Sequence, residues 1–139
     1  TGFMKGEIHA YQMHGNHPPS LAWKMTKGAP KKPSPIIVDG SLYVINDGGI
    51  LTCLNARDGE VLWRSRLEGE YSSSPTFADG KIYISNHSGK TTVIQPGTSM
   101  KILAENQLDD GHMASFVPLR GSFLVRTEKA LYRIATGLP

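Results

Sequence analysis

The stretch PSPIIVDGSLYVINDGGILTCLNARDGEVLWRSRL, which runs from Pro33 to Leu67, contains the local signals of four short strands. Two apolar, β-rich runs are joined by Asp39-Gly40, and two further runs are joined by a slightly longer turn that contains Asp58-Gly59. Asp-Gly between apolar runs is a strong hairpin signal, because both turn residues must adopt positive φ. The stretch therefore predicts four consecutive antiparallel strands, the last of which carries Trp63.

A similar stretch, SSPTFADGKIYISNHSGKTTVIQPGTSMKILAENQL, follows from Ser73 to Leu108. The residues that correspond at an offset of 40 are Pro35 with Pro75, Asp39-Gly40 with Asp79-Gly80, Tyr43 with Tyr83, and Gly49 with Gly89. A third copy begins near ASFVPLRG, where Gly121 follows Gly80 by 41 residues, and Trp63 has a counterpart 40 residues earlier in Trp23. We interpret residues 1–139 as one domain with repeat units 1–32 (partial), 33–72, 73–113 and 114–139 (partial).

The repeat length favours one fold class over another. Units of about 40 residues with four short strands and no helical periodicity are typical of propeller blades. A β-sandwich also has short strands and frequent turns, but it does not require self-similarity at a fixed period. The sequence therefore predicts an all-β chain, a β-propeller of four-stranded antiparallel blades with about three blades per chain. The first unit supplies two strands and the last unit supplies three.

Composition excludes several classes of protein. With 39% hydrophobic and 19% charged residues, the chain has neither a disordered nor a membrane composition. No apolar run approaches the roughly 20 residues that would span a bilayer, so no membrane span is expected. The opening residues lack the apolar core of a signal peptide. The single cysteine, Cys53, excludes an intramolecular disulfide, and its apolar neighbours predict a buried thiol.

The net charge of +3 does not indicate a nucleic-acid partner. The excess is concentrated in WKMTKGAPKK, which carries Lys24, Lys27, Lys31 and Lys32. Glycine and proline separate these lysines, and no aromatic or arginine readout accompanies them, as nucleic-acid recognition would usually require. We interpret the segment as a solvated turn.

The segment around Trp63 resembles a known family. Ala56, Gly59 and Trp63, together with the runs AWKMTKGAP and RTEKALYRI, resemble the C-terminal blades of bacterial pyrroloquinoline-quinone-type (quinoprotein-like) propellers. In that family the tryptophan docks between neighbouring blades, so the resemblance implies a structural docking role for Trp23, Ala56, Gly59 and Trp63. A flat indole suits this place, since it fills the gap between twisted sheets and its N–H can reach a backbone acceptor.

The resemblance does not carry catalysis with it. The family's quinone enzymes use a calcium ion, a Glu, an Asn and a catalytic Asp, often beside a disulfide between adjacent cysteines. This chain has no Cys-Cys pair and no loop residues that match the ligand set. We therefore predict no catalytic residue, no metal ligand and no cofactor, and we expect a non-catalytic binding module. The alternative is a C-terminal fragment of a quinone-dependent dehydrogenase. The family also implies a periplasmic or cell-surface location.

Polar residues recur where loops should share one rim of the propeller. Asp47, His87 and Glu128 lie at equivalent points of the loops between the second and third strands, with offsets of 40 and 41. Asp110 and His112 lie in a loop between blades, which falls on the same rim. These five residues are candidates for binding a peptide or small solute. The alternative is that they are ordinary polar residues of solvated turns.

Roughly three blades cannot close a ring, because propellers usually need at least about four. An open arc would expose an apolar face at each end. We therefore expect head-to-tail association of two chains into a homodimer with a ring of about six blades, since closed two-fold dimers are the commonest oligomers. The alternative is that the chain is a fragment of a larger propeller.

Overall fold

The computed structural model describes residues 6–135 of the chain. These residues contain thirteen strands, joined by turns and connections. The strands are β1 (Ile8–His14), β2 (His17–Met25), β3 (Ile36–Val38), β4 (Ser41–Ile45), β5 (Ile50–Asn55), β6 (Val61–Arg66), β7 (Thr76–Ala78), β8 (Lys81–Ser85), β9 (Lys90–Ile94), β10 (Ile102–Gln107), β11 (Val117–Leu119), β12 (Ser122–Arg126) and β13 (Leu131–Ala135). Among these residues, no helix is long and apolar enough to cross a membrane.

The strands form four antiparallel sheets in chain order. Sheet 1 contains β1 and β2, sheet 2 contains β3 to β6, sheet 3 contains β7 to β10, and sheet 4 contains β11 to β13. Within each sheet, every strand pairs with the strand that follows it in the chain. The prediction of an all-β partial propeller is therefore confirmed, with two strands in the first sheet and three in the last.

The Asp-Gly turns adopt the conformation that the sequence pattern predicted. Asp39 and Gly40 have φ of 47° and 76°, and Asp79 and Gly80 have φ of 48° and 68°. A positive φ at both central residues gives the turn a twist that matches the twist of the flanking strands. These turns set the register in which Val38 pairs with Ser41 and Ala78 pairs with Lys81.

Sheet 2 is buried on both faces, since a neighbouring sheet packs on each of them. One face contributes Tyr43, Ile45, Leu51 and Cys53 to a core that also contains Ile82, Ile84 and Ile94 of sheet 3. The other face contributes Leu42, Val44 and Leu54, which pack with Met25 and Trp23 of sheet 1. The prediction of a buried thiol at Cys53 is confirmed. Burial on two faces explains why β4 is apolar along most of its length rather than alternating.

The two terminal sheets keep large apolar side chains exposed. On sheet 1 these are Tyr11, Met13 and Leu21, and on sheet 4 they are Val117, Leu119 and Leu131. Exposed apolar faces of this kind are typical of surfaces that another sheet covers.

Candidate functional site

Each tryptophan crosses from its own sheet to the next one. Trp23 Nε1 donates to the carbonyl oxygen of Ala56 at 3.0 Å, and Trp63 Nε1 donates to that of Gly97 at 3.0 Å. Ala56 and Gly97 both lie in the turn between the third and fourth strands of the neighbouring sheet. These contacts support the docking role that the family resemblance implies.

Gly59 is in close contact with the first of these indoles. Its φ is 77°, and a Cβ added at this position would lie 2.7 Å from the ring of Trp23. The turn therefore needs a residue without a side chain, both for its backbone conformation and for the approach of the indole.

The acceptor at the second junction, between sheets 2 and 3, was not predicted from the sequence. Gly97 also donates its N–H to Tyr43 Oη at 2.8 Å and accepts from the same hydroxyl at 3.4 Å. Its turn, QPGTS, differs from NARDG at every position, and only the offset of 41 from Ala56 could have indicated it. At the third junction the corresponding position on β10 is Ala104, so no indole is present there.

Asp47 accepts hydrogen bonds from the connections on either side of sheet 2. Its carboxylate oxygen Oδ2 accepts the N–H of Lys31 at 2.7 Å, and its carbonyl oxygen accepts the N–H of Tyr71 at 3.0 Å. The side chain therefore ties the connection before sheet 2 to the turn between β4 and β5. Its role in binding a solute stays a prediction.

His87 makes the corresponding tie at the next junction, with a different set of atoms. Its Nε2 lies 2.6 Å from Ser72 Oγ, and its Nδ1 lies 3.6 Å from Glu70 Oε2. The order serine, imidazole, carboxylate is that of a nucleophilic triad. However, 3.6 Å is too long for a hydrogen bond, and the Glu70 side chain is 82% exposed. The carboxylate does not fix the ring as a triad requires, and the group is better described as a tie between loops. Sequence reasoning missed Ser72 and Glu70.

Asp110 and Glu128 lie together where sheets 3 and 4 meet. Asp110 is buried, and its Oδ2 accepts the N–H of Lys129 at 3.2 Å. Hydrogen bonds from Thr127 and from this backbone hold the pKa of Asp110 below its usual value. Glu128 is exposed, and its N–H donates to the carbonyl oxygen of Gly111 at 3.0 Å. Both residues thus join the loop between sheets 3 and 4 to the β12–β13 turn.

His112 is buried with no partner for its ring. The residue is 3% exposed, and neither Nδ1 nor Nε2 has a hydrogen-bond partner. Burial is the main cause that lowers its pKa, and the nearby His87 lowers it further. The ring packs against Phe116 at a centroid distance of 5.5 Å. A buried polar group without a partner is uncommon and calls for an explanation.

His112 occupies the place that Tyr71 holds one unit earlier, at an offset of 41. Tyr71 N donates to the carbonyl oxygen of Asp47, and His112 N donates to that of His87 at 3.3 Å. Tyr71 satisfies its own hydroxyl by donating to the carbonyl oxygen of Glu68 at 3.0 Å. The imidazole of His112 makes no such bond.

The structure brings four of the five rim candidates together and leaves Asp47 at the earlier junction. His87, Asp110, His112 and Glu128 all belong to loops at the junction of sheets 3 and 4. Within residues 6–135, no group of three or more His, Cys, Asp or Glu side chains is arranged to hold a metal ion. Within the cluster, the Asp110 carboxylate and the His87 imidazole tie loops together, whereas the His112 imidazole has no hydrogen-bond partner and Glu128 joins the loop through its backbone N–H. Ligand binding by this cluster stays a prediction.

A second set of ties crosses the junctions of sheets 2 with 3 and of sheets 3 with 4, through serines that precede the first strand of sheets 2, 3 and 4. Ser34 N donates to Ser74 Oγ at 2.8 Å, and Ser74 N donates to Ser115 Oγ at 2.8 Å. Equivalent residues thus bond to each other from one sheet to the next, with offsets of 40 and 41.

A protein-family model described as outer membrane protein assembly factor BamB matches residues 5–112. Comparison with the curated proteins gave no match. Among solved structures, BamB from Moraxella catarrhalis is similar at a TM-score of 0.73 and 18% identity, over 94% of this chain and 39% of that chain. The chain therefore spans well under half the length of that relative.

Two dehydrogenases are also similar in structure. A europium-containing methanol dehydrogenase has a TM-score of 0.62 at 13% identity, over 73% of this chain and 21% of that chain. Quinohemoprotein alcohol dehydrogenase from Comamonas testosteroni has a TM-score of 0.57 at 14% identity, over 70% of this chain and 17% of that chain. At such identities the likeness shows the fold alone.

Proposed function

Because the chain belongs to the family described as outer membrane protein assembly factor BamB, we propose that it is a non-catalytic propeller module that binds a protein or peptide partner. The match over residues 5–112 is the observation that carries this proposal. The family's description also supports a periplasmic or cell-surface location for this chain. Propeller loops commonly serve as binding surfaces, because a rigid scaffold holds them in place.

The rim at the junction of sheets 3 and 4 is the proposed contact surface. The side chains of His87 and Asp110 are used in ties between loops, but several other side chains remain exposed. Glu128 is exposed and Met113 is 61% exposed at this junction, and Glu68 and Glu70, in the neighbouring connection between sheets 2 and 3, are 86% and 82% exposed. An exposed methionine and exposed carboxylates on these loops suit a partner that presents apolar and basic side chains, since complementary charge steers association and methionine adapts to varied shapes.

Site-specific photocrosslinking in cells tests this proposal. A photoreactive amino acid replaces Met113 on the rim or, as a matched control, Lys81 in the hairpin at the other end of sheet 3. We expect a crosslinked protein partner from position 113 and none from position 81. A charge reversal, Glu70→Lys together with Glu128→Lys, should reduce the crosslink at least tenfold. Equal crosslinking from both positions, or none from 113, would contradict the proposal.

The alternative function, part of a quinone-dependent dehydrogenase, is supported by the similarity in fold to two dehydrogenases. It predicts that the chain takes up pyrroloquinoline quinone in the presence of calcium. Equilibrium dialysis with the quinone and calcium decides between the two functions. Saturable uptake of both at micromolar concentration would favour the dehydrogenase, and no uptake would favour the binding module.

We also propose that two copies of the chain associate head to tail. The serine ties support this, because Ser115 N at one end of the series and Ser34 Oγ at the other are a matching donor and acceptor. The exposed apolar faces of sheets 1 and 4 would then be covered.

The strand count sets a condition on this assembly. A blade shared by sheet 4 of one copy and sheet 1 of the other would hold five strands, three plus two, whereas sheets 2 and 3 hold four. By the repeat offset, β1 and β13 both occupy the third-strand place, so one of them must be displaced. Light scattering tests the association: a mass near twice 15.2 kDa supports it, and a mass of 15.2 kDa at all concentrations would refute it.

A further inference from the structure

We propose that His112 is a pH-sensitive latch, which loosens the junction between sheets 3 and 4 when its imidazole takes up a proton. The proposal is independent of any partner. It rests on the position of the ring, which is buried in the connection from β10 to β11 with both nitrogens unpartnered. A neutral imidazole tolerates this place, but an imidazolium would bring two donors and a charge with no acceptor.

The groups around the ring do not offer a charged imidazole a free partner. Asp110, in the same connection, is the carboxylate whose charge favours protonation, but its side chain is already hydrogen-bonded to Lys129 N and to Thr127. From the β8–β9 turn, His87 opposes a second positive charge. The β12–β13 turn contributes Glu128, which is exposed to solvent. The balance therefore favours the neutral ring.

Loosening would be local because the loop that carries His112 holds the two sheets together. His112 N donates to the carbonyl oxygen of His87, and Glu128 N donates to that of Gly111. A Cβ added at Gly111 would lie 2.7 Å from the His87 carbonyl oxygen, which shows how closely the loop and the β8–β9 turn approach. We expect movement of a charged ring toward solvent to shift this closely packed loop and so to open these backbone bonds.

The previous junction provides a natural control. There Tyr71 fills the equivalent place, does not gain a charge at low pH, and satisfies its hydroxyl within the loop. A tyrosine at position 112 should therefore fit the same backbone and remove the response to acid. His112→Tyr is the test variant, His112→Phe is a second apolar replacement, and His17→Gln, at an exposed histidine of sheet 1, is the control for an unrelated imidazole.

The first measurement is the equilibrium constant of urea unfolding between pH 8 and pH 5. The unfolded chain binds a proton near pH 6.5, while the folded chain resists it, so stability is retained above that value and lost as pH falls below it. Relative to His112→Tyr, the wild type and His17→Gln should lose up to about tenfold in folding constant per pH unit. Parallel profiles for wild type and His112→Tyr would overturn the proposal.

Two measurements on the wild type keep the proposal testable if the variants do not fold. An NMR titration should show the His112 ring protonating below pH 6.5, and protonation at or above that pH would overturn the proposal. Hydrogen exchange, corrected for intrinsic rates, should accelerate at pH 5.5 for the amides of His112 and Glu128 but not for that of Tyr71. Equal changes at both junctions would show global rather than local loosening and would likewise overturn it.

Discussion

Replacement of Trp63 should reveal how strongly sheet 2 is bound to sheet 3. The indole is half-buried, donates to Gly97 O at 3.0 Å, and lies beside Tyr43 at a centroid distance of 6.0 Å. If the ring buries about 100 Å² of apolar surface, half of a typical tryptophan, its burial contributes about 2.5 kcal/mol. The hydrogen bond adds about 1 kcal/mol, which gives roughly 3.5 kcal/mol for Trp63→Ala.

A phenylalanine at position 63 should separate the two contributions. It retains most of the apolar surface and loses the N–H donor. Since Gly97 O also accepts from the hydroxyl of Tyr43, that oxygen is not left unpartnered, and the expected cost is about 1 kcal/mol. Val61→Ala, at a 40% exposed position on the same strand, is the matched control, with an expected change within about 0.5 kcal/mol.

Urea unfolding followed by far-UV circular dichroism measures these free energies without relying on tryptophan fluorescence. The reasoning predicts the order Trp63→Ala, then Trp63→Phe, then Val61→Ala, from the largest loss to the smallest. Docking would be refuted if Trp63→Ala cost no more than Val61→Ala. A loss in Trp63→Phe as large as in Trp63→Ala would instead show that the hydrogen bond, rather than the apolar area, dominates.

Three further predictions concern other contacts. Gly59→Ala should destabilise the chain by more than about 1 kcal/mol, because the backbone has a positive φ there and the new Cβ would meet Trp23. Gly15→Ala, also at a positive φ but with open space around it, should cost less. Equal losses of the two variants in urea unfolding would contradict this. Burial raises the pKa of Tyr71 to about 12. The unfolded chain ionises near pH 10, so stability should fall as pH rises from 10 to 12. Because burial also raises the pKa of Tyr43, the late absorbance step at 295 nm should shrink rather than vanish in Tyr71→Phe, and an undiminished step would refute the assignment. Burial also raises the pKa of the Cys53 thiol, so a disulfide reagent should label it only after unfolding, and rapid labelling of the native chain would count against its burial.

The sequence was sufficient to predict the sheets, because their signals are local. Asp39-Gly40 and Asp79-Gly80 require positive φ at both residues, and the 40-residue offset repeats the same hairpin. The place of Trp63 on the fourth strand of its unit was predictable because the signals of that strand are local as well. Its acceptor, Gly97, was not, since a backbone carbonyl can be supplied by almost any turn sequence and QPGTS differs from NARDG.

The sequence predicted in which loops the rim residues lie, but not which partners their side chains bond to. The offsets correctly indicate that Asp47 and His87 lie in equivalent turns. They do not indicate that one side chain accepts from a backbone amide while the other bonds to Ser72. Those partners come from the preceding connection, whose course depends on the packing of two sheets. Side-chain partners across a junction are therefore beyond a pattern that describes one unit at a time.

Comparison of equivalent positions, rather than recognition of the repeat, indicates where the chain is specialised. The junction of sheets 3 and 4 has Ala104 in place of a docking indole and His112 in place of a satisfied tyrosine. Each difference removes a contact that the preceding junction has, since one lacks the apolar area and hydrogen bond of the indole and the other leaves a buried imidazole unpartnered. The exposed Met113 and Glu128 lie in the loops of that junction. A contact surface on these loops would thus lie on the junction that the protonation of His112 is proposed to loosen, so that partner binding and protonation would act on the same movement.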